Sequence, residues 1–352
     1  MKALPEAAVV SQLAQRLAQR IAAEGPIPVA DYMAEANAHY YATRDPFGRD
    51  GDFITAPEIS QMFGELIGLW MADLWDRAGR PSDCRYVELG PGRGTLAADA
   101  LRAMRRAGFD PTIELVETSA LLRRMQAERV PGARWHGHVN TLPDDGPLLV
   151  VANEFFDALP IRQHVATGQG WSERLVDHRS GRFVPVEGSG AKAPTPLPAA
   201  PAGTIFESSP ASIAVLHALA ARIAAQGGGA LIIDYGHGRS GTGETLQAVR
   251  SHDHTDPWSA PGECDLTAHV DFEALARAGR ARGLTAFGPV DQGDWLRAAG
   301  IEARAAALAR HAPARADEIE AAKRRLIAPD QMGRLFKVMA LAAPGWPAPE
   351  GF

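Results

Sequence analysis

The chain has 352 residues, 46% of them apolar, and a formal net charge of −6. That length suits one large domain with additions or two intimate ones, and the acidic balance gives no basic field of the kind nucleic acid selects. Cys84 and Cys264 form neither a CxxC pair nor a disulfide framework, and no apolar run approaches membrane-spanning length. The expected compartment is a reducing cytoplasm, with no nucleic-acid partner and no membrane insertion.

Leu13, Leu17 and Ile21 lie at helical spacing, so residues 6–24 are expected to form an amphipathic helix. Over residues 1–25 three basic residues (Lys2, Arg16, Arg20) stand against two acidic ones (Glu6, Glu24), which also suits a mitochondrial presequence, the alternative reading. "GPIP" separates a second helix over 28–40. "RDPFGRDGDFITAP", residues 44–57, is a polar loop. Tyr40 and Tyr41 before it and Thr55 near its end are candidate lid or acceptor-side residues, with core packing the competing role of the tyrosines. Pro57 is expected to open one long helix through Gly79, burying Trp70, Met71 and Trp75. A boundary at about residue 80 divides a helical region with a lid loop, 1–80, from a core at 81–352.

From residue 85 strands and helices alternate. "RYVELG" reads as a strand, followed by a helix closed by Gly108, the strand "TIELVET", a helix capped by Ser119, and the strands "ARWHG" and "PLLVVAN". Alternation of this kind predicts a doubly wound parallel sheet in an α/β fold. "ERLVDHRSGRFVPVEG" reads as a β-hairpin turning at Ser180–Gly181, and 188–203 as a low-complexity loop; the insertion at about 162–203 is expected to be a surface excursion. The core resumes with a helix ending near Gln226 and the strand "GALIIDYG". A polar loop at 239–265, a helix from Asp271, and the strands "LTAFGPV" and "RLFKVMALAA" follow.

Gly90, Gly92 and Gly94 stand between a strand and a helix, where an α/β sheet binds its ligand on bare backbone. A dinucleotide fingerprint requires Gly or Ala where Thr95 stands, and a P-loop requires a lysine that is absent. The acid-x-G-x-G-x-G pattern of S-adenosylmethionine sites is complete in Glu88, Gly90, Gly92 and Gly94. That cofactor carries an ammonium and a sulfonium, which an acid attracts, whereas an acid repels a pyrophosphate. Glu117 ends the next strand, where a carboxylate can accept from ribose hydroxyls or cap the helix at Ser119.

"VVANEFFDALP" places Asn153 and Glu154 at a strand's carboxyl edge and Asp157 one turn on. Asn153 is a candidate cofactor-binding residue, and Glu154 and Asp157 are candidate catalytic carboxylates. Asp234 and Tyr235 in "IIDYGH" are candidates for an acceptor pocket or a fold-stabilising polar network. His252, His254, Cys264 and His269 match no metal-ligand spacing, so no metal is expected; His269 is placed in an acceptor-facing loop.

The stretches "GPIPVADYMAEANAHYYATRDPFGRDGDFITAPEISQMFGE", "VELGPGRGTL", "NEFFDALP", "IIDYGH", "DLTAHVDF" and "MGRLFKVMAL" together resemble the MidA-like family of class I S-adenosylmethionine-dependent methyltransferases, over about residues 24–343. The resemblance implies a Rossmann-like, seven-stranded, mostly parallel sheet with an antiparallel last strand, for which "LFKVMAL" is the candidate. It also implies S-adenosyl-L-methionine as cofactor. The mitochondrial member of the family is a complex I assembly factor that symmetrically dimethylates an arginine of the 49-kDa-type subunit, and the same protein substrate is the expectation here. Small-molecule methylation and a non-catalytic assembly chaperone are the alternatives.

Overall fold

The computed structural model describes residues 11–43, 55–192, 197, 199–250 and 253–352. Most of the loop at 44–57, part of 188–203, and His252 lie outside them.

The chain forms two compact units, and their boundary does not fall at residue 80. The smaller one gathers residues 1–43, 158–210 and 241–268, and the larger one 44–157, 211–240 and 269–352. Residues 55–80 thus belong with the core. The insertion joins the N-terminal helices as part of a unit with its own hydrophobic centre.

The larger unit carries the sheet. Its seven main strands are β1 (Arg85–Leu89), β2 (Thr112–Val116), β3 (Arg134–His136), β4 (Leu148–Asn153), β5 (Gly228–His237), β6 (Thr285–Asp291) and β7 (Phe336–Ala342), and the two-residue strand Val270–Asp271 adds a short eighth, parallel to the end of β5. Their order is β3-β2-β1-β4-β5-β7-β6, with β7 antiparallel to both neighbours and β3 through β5 parallel. β1 and β4 lie mid-sheet and are buried throughout, as expected of strands covered on both faces. In "RYVEL" that leaves two charged residues inside, Arg85 and Glu88. Buried charges need partners. Arg85 finds Glu114 at 2.9 Å and Asp145 at 2.8 Å, whereas Glu88 stands at the strand's carboxyl end, where ligands bind.

Three helices frame that end: α1 (Gln61–Arg77), α2 (Thr95–Arg106) and α3 (Ala120–Arg129). The single helix expected from Pro57 is two. Pro57 lies in the first turn of a short helix, Ala56–Ile59, and Ser60 then turns extended (φ −163°, ψ 139°). The Ser60 hydroxyl accepts from the Met62 N–H and restarts the chain as α1, a capping signal that outweighs the unbroken apolar pattern. Trp70 and Met71 are buried, and Trp75 stacks on Phe109 with ring centroids 4.5 Å apart. α1 and α2 approach closely through glycine: a Cβ on Gly68 would stand 2.3 Å from the Ala100 carbonyl oxygen. Ser119 caps α3 as expected, accepting from the Leu122 N–H.

In the smaller unit the helix Gln12–Glu24 buries Leu13, Leu17 and Ile21, as its spacing requires. The hairpin Gly170–Arg179 and Arg182–Lys192 turns where expected, and the strands Ile27–Pro28, Arg162–Thr167 and Ile205–Ser208 extend it into a five-stranded sheet. The polar loop at 239–265 holds structure that its composition hides. Gln247–Arg250 pairs with Asp253–Thr255 and with Asp265–Thr267 in a small antiparallel sheet. Among the described residues no helix is long and apolar enough to cross a membrane, and no cluster of metal-ligating side chains occurs.

Candidate active site

The loop from β1 to α2 turns on its three glycines. Gly90, Gly92 and Gly94 have φ of 61°, 52° and 77°, a region that residues with a Cβ rarely enter. A Cβ on Gly90 would also stand 2.9 Å from the Phe155 ring. The loop borders an open cleft, lined among others by Thr55, Glu58, Glu88, Thr95, Asn153 and Glu154. Six expected residues thus meet on one wall: Thr55, Glu88, Gly90, Gly92, Asn153 and Glu154.

Glu88 is buried, and burial pushes its pKa up to about 7 against the opposing hydrogen bond from Tyr86 Oη at 2.6 Å. Glu154 departs from ordinary backbone geometry, with φ at 50°. Its N–H donates to the Ile233 carbonyl, and its Oε1 accepts from the Ala56 N–H at 3.3 Å and Asn153 Nδ2 at 3.1 Å. Burial and the charge of Asp157 push its pKa to about 7 as well. Because Asn153 Nδ2 is committed to Glu154, its Oδ1 points the other way. That oxygen is buried and has no hydrogen-bond partner among the described residues. An unpartnered acceptor and a buried carboxylate lining the same cleft suit a ligand that donates, such as an ammonium.

Several expected residues stand behind this wall rather than on it. Asp234 is fully buried, and its Oδ2 accepts from the N–H groups of Phe155, Phe156 and Asp157 at 3.0–3.2 Å. Burial and the charges of Asp157 and Glu154 push its pKa well above the usual range, and those backbone bonds oppose the rise. Of its two candidate roles, the geometry is that of the polar network: Asp234 shapes the turn that carries Glu154. Asp157 is buried too and accepts from Tyr235 Oη at 2.5 Å. Tyr235 stacks edge-on with His269, ring centroids 5.6 Å apart. Tyr40 is buried in the helix Val29–Thr43, edge-to-face with Tyr41, so packing is what the described residues give it.

Glu117 fills the capping role, since its Oε1 accepts from the Ser119 N–H at 2.7 Å. A carboxylate has further lone pairs for ribose hydroxyls. Thr95, read from sequence only as a departure from the dinucleotide pattern, donates to Glu58 and accepts from Arg129. Glu58 and Arg129 went unrecognised because the contact joins residues far apart in the chain. Gln126 was missed as well, although a polar residue four after Leu122 on the buried row of α3 was a readable signal.

A sheet whose seven main strands include an antiparallel last one, with a carboxylate near the end of its first strand and a glycine loop after it, defines an S-adenosylmethionine-dependent methyltransferase. Residues 66–290 match the family model described as S-adenosyl-L-methionine-dependent methyltransferase. The chain belongs to the MidA-like family of these enzymes. It is 38% identical to the Drosophila melanogaster mitochondrial protein arginine methyltransferase NDUFAF7 homolog, covering 94% of this chain and 84% of that one. It is 34% identical to the Homo sapiens mitochondrial protein arginine methyltransferase NDUFAF7, covering 94% and 83%. A likely-methyltransferase crystal structure from Burkholderia thailandensis bound to S-adenosyl-homocysteine superposes with a TM-score of 0.85 at 30% identity, covering 96% of this chain and 92% of that one.

The two raised carboxylates give a pH signature. An ammonium pairs with Glu88 only when Glu88 is ionised. S-adenosylhomocysteine affinity is therefore expected to rise as pH climbs through about 7 and to level off above it. The sign for folding is opposite. A carboxylate whose pKa is raised in the folded state is favoured as the acid, so its contribution to stability declines from the unfolded pKa up to about 7. Calorimetric titration from acidic to mildly alkaline pH checks the binding limb. Glu88→Gln should flatten it, and an unchanged slope in that variant would remove Glu88 from ammonium binding.

Proposed function

We propose that this methyltransferase transfers methyl groups to an arginine of a protein, and that the protein is a 49-kDa-type subunit of complex I met in the cytoplasm before assembly. The observation that carries the reading is the position of Glu154. Its carboxylate lines the same cleft as the glycine loop, Glu88 and Asn153. The names of the Drosophila and human relatives support arginine as the acceptor.

Bound in this cleft, the cofactor would supply the methyl carbon attached to its sulfonium sulfur; as the acceptor nitrogen bonds that carbon, the sulfur–carbon bond breaks and S-adenosylhomocysteine leaves. Glu88 and Asn153 Oδ1 hold its ammonium, and Glu117 accepts from its ribose hydroxyls. Glu154 faces the acceptor. A guanidinium is cationic and planar, so a carboxylate fixes its plane and concentrates electron density on one nitrogen. As methyl transfer proceeds that nitrogen loses a proton, and Glu154, its pKa near 7, takes it. Asp157 acts on Glu154 through its charge, and Asp234 through the turn it holds.

Mass spectrometry of the 49-kDa-type subunit from cells with and without this gene tests the reading. Symmetric dimethylarginine present only with the gene is the expected result. Methyl groups on lysine, or only on a small metabolite, would overturn the acceptor. An unmodified subunit in both strains would leave assembly without methylation.

A further inference from the structure

Gln126 lies in α3, 34 residues from Gly92 of the glycine loop and nine from Glu117, and is fully buried. Its side-chain orientation is fixed by chemistry. The Trp135 indole N–H, which can only donate, sends its hydrogen bond to Gln126 Oε1 at 2.8 Å. The amide nitrogen must then face the other way, and it has two acceptors there. One is the Gly92 carbonyl at 2.7 Å, the centre of the glycine loop. The other is Glu117 Oε2 at 3.4 Å. The opposite oxygen of Glu117 is taken by the Ser119 N–H. The carboxylate is thus held at both ends, by α3's first turn and by Gln126.

We infer that Gln126 is a positioning residue for the cofactor, joining the glycine loop to the carboxylate that receives the ribose and holding both in one register. The inference rests on the assignment of Glu117 to the ribose. Three observations converge on it. The amide makes hydrogen bonds in three directions, to β3, to the glycine loop and to the end of β2. It does so without exposure to solvent, where each bond stands in for one to water. And both ends of the amide are held: Trp135 fixes its oxygen and the Gly92 carbonyl its nitrogen, so it acts as a fixed spacer. Removing its donors frees Glu117 Oε2 and the Gly92 carbonyl to turn, and a ligand must then order both when it binds.

The test uses two ligands, S-adenosylhomocysteine and its analogue lacking both ribose hydroxyls, titrated calorimetrically into the full chain. The wild type should bind the analogue roughly tenfold or more weakly, the scale of a lost charged hydrogen bond. Gln126→Met keeps the side chain's length and loses both donors. It should bind S-adenosylhomocysteine roughly tenfold more weakly and show a much smaller gap between the ligands. Gln126→Glu retains an acceptor for Trp135 but sets a carboxylate against Glu117, and should lose more. A general loss of packing would lower both affinities together and keep the gap, which would overturn the inference, as would wild-type affinity in Gln126→Met. Glu117→Gln separates the two levels of the argument. Wild-type affinity in that variant would overturn the ribose assignment itself. A closed gap in Glu117→Gln with an unchanged gap in Gln126→Met would leave the ribose assignment standing and remove Gln126 from it.

Discussion

Glu154→Gln is expected to lower methyl transfer by roughly a hundred- to ten-thousand-fold, the usual range for removing a positioned proton acceptor. Affinity for S-adenosylhomocysteine should remain near wild type. The amide keeps an oxygen for the Ala56 N–H and Asn153 Nδ2, so the turn that carries residue 154 survives. What it loses is the charge that orients a guanidinium and the capacity to take its proton. Because burial and Asp157 set the Glu154 pKa near 7, the wild-type rate should rise with pH up to about that value and then level. Labelled methyl transfer to the purified subunit, with cofactor affinity measured in parallel, reads both halves. Full activity in the variant would exclude Glu154 from the chemistry, and a matching loss of cofactor affinity would point to a collapsed cleft instead.

Asp234→Ala should have the largest effect on stability. One buried oxygen serves three consecutive N–H groups, those of Phe155, Phe156 and Asp157. Each buried donor left unmet costs about 1–3 kcal/mol, and a water entering the vacated space offsets part of this. A net loss of about 3 kcal/mol is expected, visible in scanning calorimetry as a lower melting temperature. Methyl transfer should fall with it, because Glu154 stands at the head of the same turn. Asp234→Asn keeps one acceptor and should fall between the two. Melting of Asp234→Ala at the wild-type temperature would show that the turn holds itself.

What could be read from the sequence was mostly local. The glycine loop, the Ser119 cap, the Ser180–Gly181 hairpin and the seven strands of the sheet each announce themselves within about ten residues. The antiparallel placement of β7 came from family resemblance and not from any periodicity. The break at Ser60 was hidden because the apolar positions on its two sides keep helical spacing. The small sheet at 247–267 was hidden because its strands are three or four residues long, too short for alternation to register. Within the site, Glu88, Asn153 and Glu154 were legible as polar residues ending apolar strands. Asp157 and Asp234 look the same in sequence, yet they stand behind the wall; only the path of the turn after β4 separates them. Thr95–Glu58–Arg129 and the Gly92 contact of Gln126 join residues 34 or more apart, and no local pattern encodes those contacts.

The position of β7 has a consequence for how the chain emerges from the ribosome. The sheet's last strand in chain order, Phe336–Ala342, does not join an edge; it slots between β5 and β6, which are finished well before it. Throughout the synthesis of residues 292–335 the nascent sheet therefore has a missing plank. The flanks of β5 and β6 that will receive β7 carry unpaired backbone groups, and unpaired strand edges are where nascent chains pair wrongly or aggregate. The first segment of the smaller unit likewise waits for residues 241–268. Neither unit can close in the order it is written, and each stays open until a later segment of the chain arrives.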